Sequence, residues 1–374
     1  MSFDWVDVAW LILWIALLVA FITVVVLGLT YLERKFLARI QQRLGPMRTG
    51  PWGLLQPIAD AIKLLLKEDV LPAMTDKAIY WIAPLVVFVP AFIIWVSIPF
   101  TRDIAVRNLE LGIFYILAVS GVSIVGLVMA GLASSNKYAL LGGLRAAAQL
   151  ISYEVPLIVV VIAIVMMSQS LNLKTIVIDQ DPIWYVLLQP LGLLIFLLAG
   201  LAEVGRAPFD IPFAESEVIG GPFVEYSGIH WSIFFLAEYA NTLAVAVLAT
   251  VLFLGGWHGP LFGADAAWAV NLLQALWFAL KTLGVILAIF WIRATVPRFR
   301  IDQLMGFAWK ILLPLSFLNV LLTGIYLFYD WPRWSMGLMS LGVMLVVIYQ
   351  LMWRRQRSLK RSHALRLARG KALR

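Results

Sequence analysis

The chain has 374 residues, of which 62% are apolar and 13% charged, with a mean hydropathy of +0.92 and a formal net charge of +8. A water-soluble domain is nearer about 45–50% apolar and roughly 25% charged, so the composition points to a bilayer protein. It has no cysteine and three scattered histidines, His230, His258 and His363, which excludes thiolate-bound iron–sulfur clusters, cysteine zinc sites and disulfides within it. No glycine-rich phosphate loop occurs. Electrons for any redox role must therefore come from a partner, and no nucleic-acid partner is expected.

A membrane-spanning helix needs about 20 mostly apolar residues. Candidate runs are 8–30, 79–100, 112–133, 154–168 (with a start expected upstream), 183–203, 230–254, 270–292, 308–329 and 336–353. The pattern predicts an all-α, polytopic integral membrane protein of about nine spans. It would form a single membrane domain over 1–353 with a basic tail at 354–374. The N-terminus has neither a basic region nor a small-residue cleavage site, so the first run reads as a retained helix. Pro84, Pro90, Pro156, Pro190 and Pro314 fall inside or at the ends of these runs, which bilayer helices tolerate when neighbours satisfy the freed backbone. The sequence has no internal repeat, so inverted-repeat transporter architecture is not supported. With nine spans, 23 of the 29 Lys and Arg lie on one side, against Arg102, Arg107, Lys174 and Arg333 on the other. The positive-inside rule then places the C-terminus in the cytoplasm and the N-terminus outside.

The first cytoplasmic loop, 31–78, opens with YLERKFLARIQQR and a turn at Leu44-Gly45-Pro46. From Leu54 to Asp69 the apolar residues Leu54, Ile58, Ile62, Leu65 and Leu66 recur at helical spacing. Gln56, Asp60, Lys63 and Lys67 form a polar stripe between them, giving an amphipathic helix. Two readings of the stripe stand open: a helix in the headgroup layer with its polar face in water, or a polar wall of a cavity that admits an amphipathic molecule.

Further along, Gly121, Gly126, Ala130 and Ser134 suggest close helix packing. The third cytoplasmic loop, 202–229, holds Glu203, Asp210, Glu215, Glu217 and Glu225 against one base, Arg206. Crowded, partly buried carboxylates repel one another and raise at least one pKa. The interleaved Phe209, Ile211, Phe213, Val218, Ile219 and Phe223 predict that this loop folds back toward the bilayer. Glu154 opens the fourth span, Glu238 lies inside the sixth and Lys281 inside the seventh. A lone charge at the bilayer centre costs roughly 2.5–3.5 kcal/mol on insertion scales, so such groups pair or relay ions. The simplest expectation for Lys281 is an internal salt bridge with Glu238. For several acids with too few bases, a proton path is the better reading.

Five segments in order carry a resemblance: YLERKFLARIQQRLGP with GLLQPIADAIKLLLKE, SSNKYALLGGLRAAAQLISYEVP, AEVGRAPFD with AESEV and VEYSG, FFLAEY, and RATVPRFRIDQLM. Together they resemble the H-subunit family of proton-pumping NADH-quinone oxidoreductases, respiratory complex I. The resemblance implies an enzyme component with no cofactor of its own. Quinone would be the substrate, and the iron–sulfur clusters would sit in partner subunits. It implies a place in a bacterial inner membrane between peripheral-arm subunits, which carry the terminal cluster and quinone pocket, and antiporter-like and small membrane subunits. Arg34, Gln56, Asp60, Lys63 and Lys67 would line the quinone chamber or its mouth, with Asp210 and Glu225 nearby. Glu154, Glu203, Glu215, Glu217 and Glu238 would begin the proton-coupling path. Arg206, Arg293, Arg298 and Arg300 would make ion pairs and dock the peripheral arm.

The chain departs from the family pattern in the acidic loop. The usual run is Asp-x-x-Glu-x-Glu-x-Glu, and Phe213 stands here for its first glutamate, while Gly205 and Pro222-Phe223 also replace the more usual residues. Either the relay tolerates the change, or Glu225 or water substitutes. One alternative is the related component of a membrane-bound [NiFe] hydrogenase or formate hydrogenlyase. The intact chamber segments argue against it. An ion-coupled transporter fits the buried charges but leaves the amphipathic loop unexplained.

Overall fold

The computed structural model describes residues 5–213, 215–261, 266–329, 331–350 and 353. The expected basic tail, 354–374, lies outside the described residues. Helix α10, Gly228–Phe253, is the most buried of the long helices, with 78% of its apolar window enclosed. Against it pack α1 (Trp5–Ile40), α3 (Lys77–Ile93), α8 (Pro190–Glu203) and α11 (Ala267–Thr295), while α4 (Gly112–Ala133) packs on α3 and on α5 (Lys137–Ser168), and α13 (Leu313–Phe328) packs on α5 and α8. Short helices α2 (Gln56–Leu66), α6 (Leu173–Asp179), α7 (Tyr185–Leu188), α9 (Glu215–Val218) and α12 (Ile301–Phe307) connect them, and Arg333–Gln350 forms α14. No strand occurs among the described residues, apart from a single bridge between Pro99 and Ala105.

Eight of the described helices are long and apolar enough to cross a membrane. The chain is thus an all-α, multi-pass membrane protein. The fifth expected span differs: it is broken at Gln189-Pro190, leaving the 14-residue α8, about 21 Å long at 1.5 Å per residue. Proline supplies no N–H and clashes with the preceding turn. Ser340 Oγ accepts from the Leu191 N–H at 3.2 Å, and Gln189 Nε2 donates to Thr323 Oγ1 at 3.0 Å. Side chains of α13 and α14 thereby take up the polar groups at the break, as a bilayer interior requires.

The fourth span also begins earlier than its apolar run. Asn136 Oδ1 accepts from Tyr138 N at 2.9 Å and caps α5 at Lys137. The intervening Ala, Leu, Arg and Gln are good helix formers, so Glu154 stands mid-helix. Of the small residues expected to pack, Ala130 and Ser134 are buried, Gly126 admits Val87 of α3 and Gly121 makes room for Glu154; Gly131, not among them, faces Ala139 and Gly143 of α5. Helix α2 ends at Leu66 because Lys67 turns extended, at φ −69° and ψ 134°. Its apolar residues Ile58, Ile62, Leu65 and Leu66 are exposed on the isolated chain.

Candidate functional site

Ile22, Val26 and Leu29 form the inward stripe of α1 and are each at most 6% exposed. The next position on that stripe, four residues on, is Glu33. Its carboxylate is buried and accepts from two arginines: Arg206 Nη1 donates to Oε2 at 2.6 Å, and Arg293 Nη1 donates to Oε1. Arg206 is 2% exposed. Its Nε stands 3.3 Å from Glu238 Oε1, and its guanidinium lies 3.9 Å from the centre of the Tyr239 ring. Burial opposes the Arg206 charge, but Glu238, Glu33 and Tyr239 overcome it and raise its pKa above the ordinary value. Two acids and two bases therefore balance, with Glu33 and Arg206 fully buried and Glu238 and Arg293 partly exposed at the edges; an unpaired charge in the buried part costs several kcal/mol. Arg206 was expected to make ion pairs and to dock a partner; it makes its ion pairs inside the chain, with Glu33 and Glu238.

The acidic loop does fold inward. Asp210 pairs with Arg298, Nη2 to Oδ2, at 2.7 Å. Burial lifts the Asp210 pKa above the usual aspartate range, although Arg298, Arg293 and Arg206 all pull it down. Gly220 and Gly221, at φ +97° and +63°, turn the loop back, and a Cβ at Gly221 would collide with the Pro212 carbonyl. Glu217 pairs with Arg145 of α5 at 2.9 Å on the exposed rim, and Glu225 accepts from Asn136 Nδ2 at 2.7 Å. The Glu215 side chain lies outside the described residues.

A second cluster joins α1 to the amphipathic helix. Arg34 Nη1 donates to Asp60 Oδ2 at 2.5 Å, Gln56 Nε2 donates to Asp60 Oδ1 at 3.2 Å, and Thr49 Oγ1 donates to Gln56 Oε1 at 2.7 Å. Lys63 stands 3.9 Å from Asp60 and is largely exposed. Lys67 and Arg300 are exposed. The stripe is therefore a polar contact with α1 at Asp60, braced by Gln56, and an open surface at Lys63 and Lys67.

Between α4, α5, α8, α10 and the acidic loop lies a cavity of about 80 Å³. Glu203 and Glu238 line it, with Ser120, Ser123, Gln149 and Asn241 as polar neighbours and Phe213 and Phe223 at the loop. Glu154 of α5 lies beside α4, its Oε1 3.1 Å from where a Cβ at Gly121 would stand, and is outside the lining of the cavity. Among the described residues, no base lies within ion-pairing distance of Glu154 or Glu203.

Lys281 does not pair with Glu238. Its ammonium donates to the carbonyls of Leu254, Gly256 and His258 at 2.6, 3.1 and 2.6 Å and lies over the Trp184 ring. These carbonyls belong to the cap of α10 and the loop that follows it, where no helical ladder takes them up, and they match three ammonium donors one for one. Sequence reasoning also missed Glu33, Arg145 and Gln149, and the buried His230, whose Nδ1 is 2.8 Å from Asp69 Oδ2. The register of Glu33 with Ile22, Val26 and Leu29 gains meaning only from the burial of that stripe, which the structure supplies.

A family model described as NADH dehydrogenase matches residues 13–324. The H subunit of NADH-quinone oxidoreductase from Dehalococcoides mccartyi (strain CBDB1) is 49% identical over 323 residues, 86% of this chain and 88% of that protein. The proteins of the same name from Geobacillus kaustophilus and Brevibacillus brevis are 48% and 46% identical. These matches cover 83% and 87% of this chain and 91% and 96% of those proteins.

Proposed function

The chain belongs to the NADH dehydrogenase family and, within it, to the H-subunit group of NADH-quinone oxidoreductase, and we propose that it forms the membrane wall of the quinone chamber and couples quinone reduction to proton translocation. The observation that carries this reading is a set of charged clusters along the chain: Arg34 with Asp60 at the amphipathic helix, then Glu33, Arg206 and Glu238, then the cavity lined by Glu238 and Glu203, with Glu154 on α5. The first half is fully paired. The second half is acid without base, which suits groups that take up and release protons.

In this mechanism quinone reaches the chamber from the bilayer beside α1, α2 and α10. Arg34, Gln56 and Asp60 present hydrogen-bonding groups to its polar head, with Lys63 and Lys67 at the mouth and Asp210 and Glu225 flanking it. An iron–sulfur cluster of a peripheral-arm partner would supply the electrons. Arg298 and Arg300, on the same side, face that partner, while Arg293 holds Glu33. Reduction places negative charge and a proton demand at the chamber, which weakens the hold of Arg206 on Glu238. Glu238 then takes a proton and passes the change through the cavity to Glu203 and Glu154. Glu217 and Glu215 extend the path along the loop toward the antiporter-like subunits. The C-terminus lies in the cytoplasm of a bacterial cell.

Photo-crosslinking of a quinone analogue in native membranes tests the chamber. The expected result is label in 31–68 and α10, displaced by excess quinone. No displaceable label in an intact complex would contradict it and favour the hydrogenase-type relative.

A further inference from the structure

Gln149 is 2% exposed and its amide is fixed: Nε2 donates to the carbonyls of Ala202 and Phe209, both at 2.8 Å. Both amide hydrogens are then used, and Oε1 is left as a buried acceptor without a donor among the described residues. The residue lines the cavity that holds Glu203 and Glu238. Buried polar atoms are almost always hydrogen-bonded, to ordered water where protein supplies no partner. A cavity of about 80 Å³ admits about five waters at roughly 15 Å³ of accessible volume each. Gln149 thus offers the cavity one oriented acceptor, and the glutamates and Asn241 offer the further partners that a buried water needs.

At the loop end the lining is aromatic. Phe213 and Phe223 stack with ring centres 5.0 Å apart and planes 10° from parallel, and Phe223 packs on Phe234 at 4.5 Å. Phe213 also fills the space left by Gly205, where a Cβ would stand 2.9 Å from Cε2 and the backbone is left-handed at φ +69°. Gly205, Phe213 and Phe223 thus form one packed unit, the glycine making room for the first ring and the second ring stacking on it. Glu217, on the same loop, is outside the lining of the cavity, exposed and paired with Arg145.

We propose that Gln149 anchors an ordered water cluster between Glu203 and Glu238, and that the Phe213–Phe223 stack is a lid that separates this water from the acidic loop. The lid refines the proton path proposed above and rests on that reading for its role in turnover. Protons pass between Glu217 and the cavity only when the rings part.

Carboxylate labelling in the intact complex tests the lid. Native membranes are treated with a water-soluble carbodiimide and glycine methyl ester, and adducts are mapped by peptide. Glu203 and Glu238 should be protected while Glu217 is labelled. Phe213→Ala should raise labelling of the two cavity glutamates by up to about tenfold, the factor of one stacked aromatic pair, with Glu217 unchanged. Phe213→Tyr, which keeps the ring, should protect as the native residue does. Cavity labelling unmoved by Phe213→Ala overturns the lid. If Glu217 labelling rises as well, the loop has lost its fold, and the milder Phe213→Leu decides by the same ratio. A map of the complex that resolves water should place one within hydrogen-bond distance of Gln149 Oε1, and a dry cavity overturns the anchor. Labelling requires no quinone. If the lid result holds while Glu203→Gln leaves coupled turnover intact, the coupling reading fails and the lid stands.

Discussion

At Glu33 one buried carboxylate serves Arg206 and Arg293 from two other parts of the chain. Removing one partner of a buried pair costs about 3–5 kcal/mol, because the remaining charge is left in a dry site. Glu33→Gln should fall at the lower end of that range, since Arg206 keeps Glu238 and the Tyr239 ring. The loss should appear as a lower melting temperature of the purified complex, and an unchanged one would contradict this assignment. Asp60 gives a pH dependence. Burial opposes its charge, but the hydrogen bonds from Arg34 and Gln56 and the charges of Arg34 and Lys63 outweigh burial and hold its pKa below the ordinary 3.8. A depressed folded pKa stabilises the docked helix above the ordinary value and loses that contribution as pH falls through the depressed one. Hydrogen exchange of α2 amides, corrected for intrinsic rates, should therefore show protection that persists through neutrality and fades only in acid, below 3.8. Arg34→Gln should move that loss upward. Glu33 and Asp60 also differ in how far the sequence revealed them. Asp60 announced itself by its place on a polar stripe. Glu33 sat in a motif segment without a role, because charge in a helix register is informative only once the partner helices are known.

At the scale of elements, bilayer thickness predicts where a chain turns apolar, and helix chemistry decides where a helix stops. The two criteria diverge at α5, whose capped start at Asn136 precedes its apolar run, and at the fifth span, where Pro190 splits an apolar run into two helices. Lys281 shows a further limit. A lone buried charge suggested a salt bridge to Glu238, but the ammonium has three donors, and the cap of α10 and the loop after it supply three carbonyls. The acidic loop was legible as a fold-back from its interleaved apolar residues; the turn that achieves it was not. Gly221 carries that turn, with φ +63° and the Pro212 carbonyl where a Cβ would sit. Gly221→Ala should cost about 1–3 kcal/mol of local backbone strain. Hydrogen exchange should rise across 205–225 and stay unchanged in the long helices. Spread of the effect into α10 would mean that the loop braces the bundle rather than resting on it.

For the molecule as a whole, composition was enough to assign the bilayer, and five ordered segments were enough to point to the family. The cavity was invisible to both, because it exists only where α4, α5, α8 and α10 diverge around Glu203 and Glu238. Coupling in the proposed mechanism depends on the division between a paired row, from Asp60 to Glu238, and an acid-only row, Glu203 and Glu154. Neutralising Glu203 tests that division most directly. Glu203→Gln keeps size and hydrogen bonding but cannot release a proton at physiological pH. Quinone reduction and proton translocation should be measured in membranes, beside electron transfer to an artificial acceptor that bypasses the membrane arm. The bypass rate should be retained while quinone-linked proton translocation falls by an order of magnitude or more, in the range of about 10²–10⁴ for losing a positioned proton-transfer group. Full proton translocation in Glu203→Gln would contradict the proposed coupling.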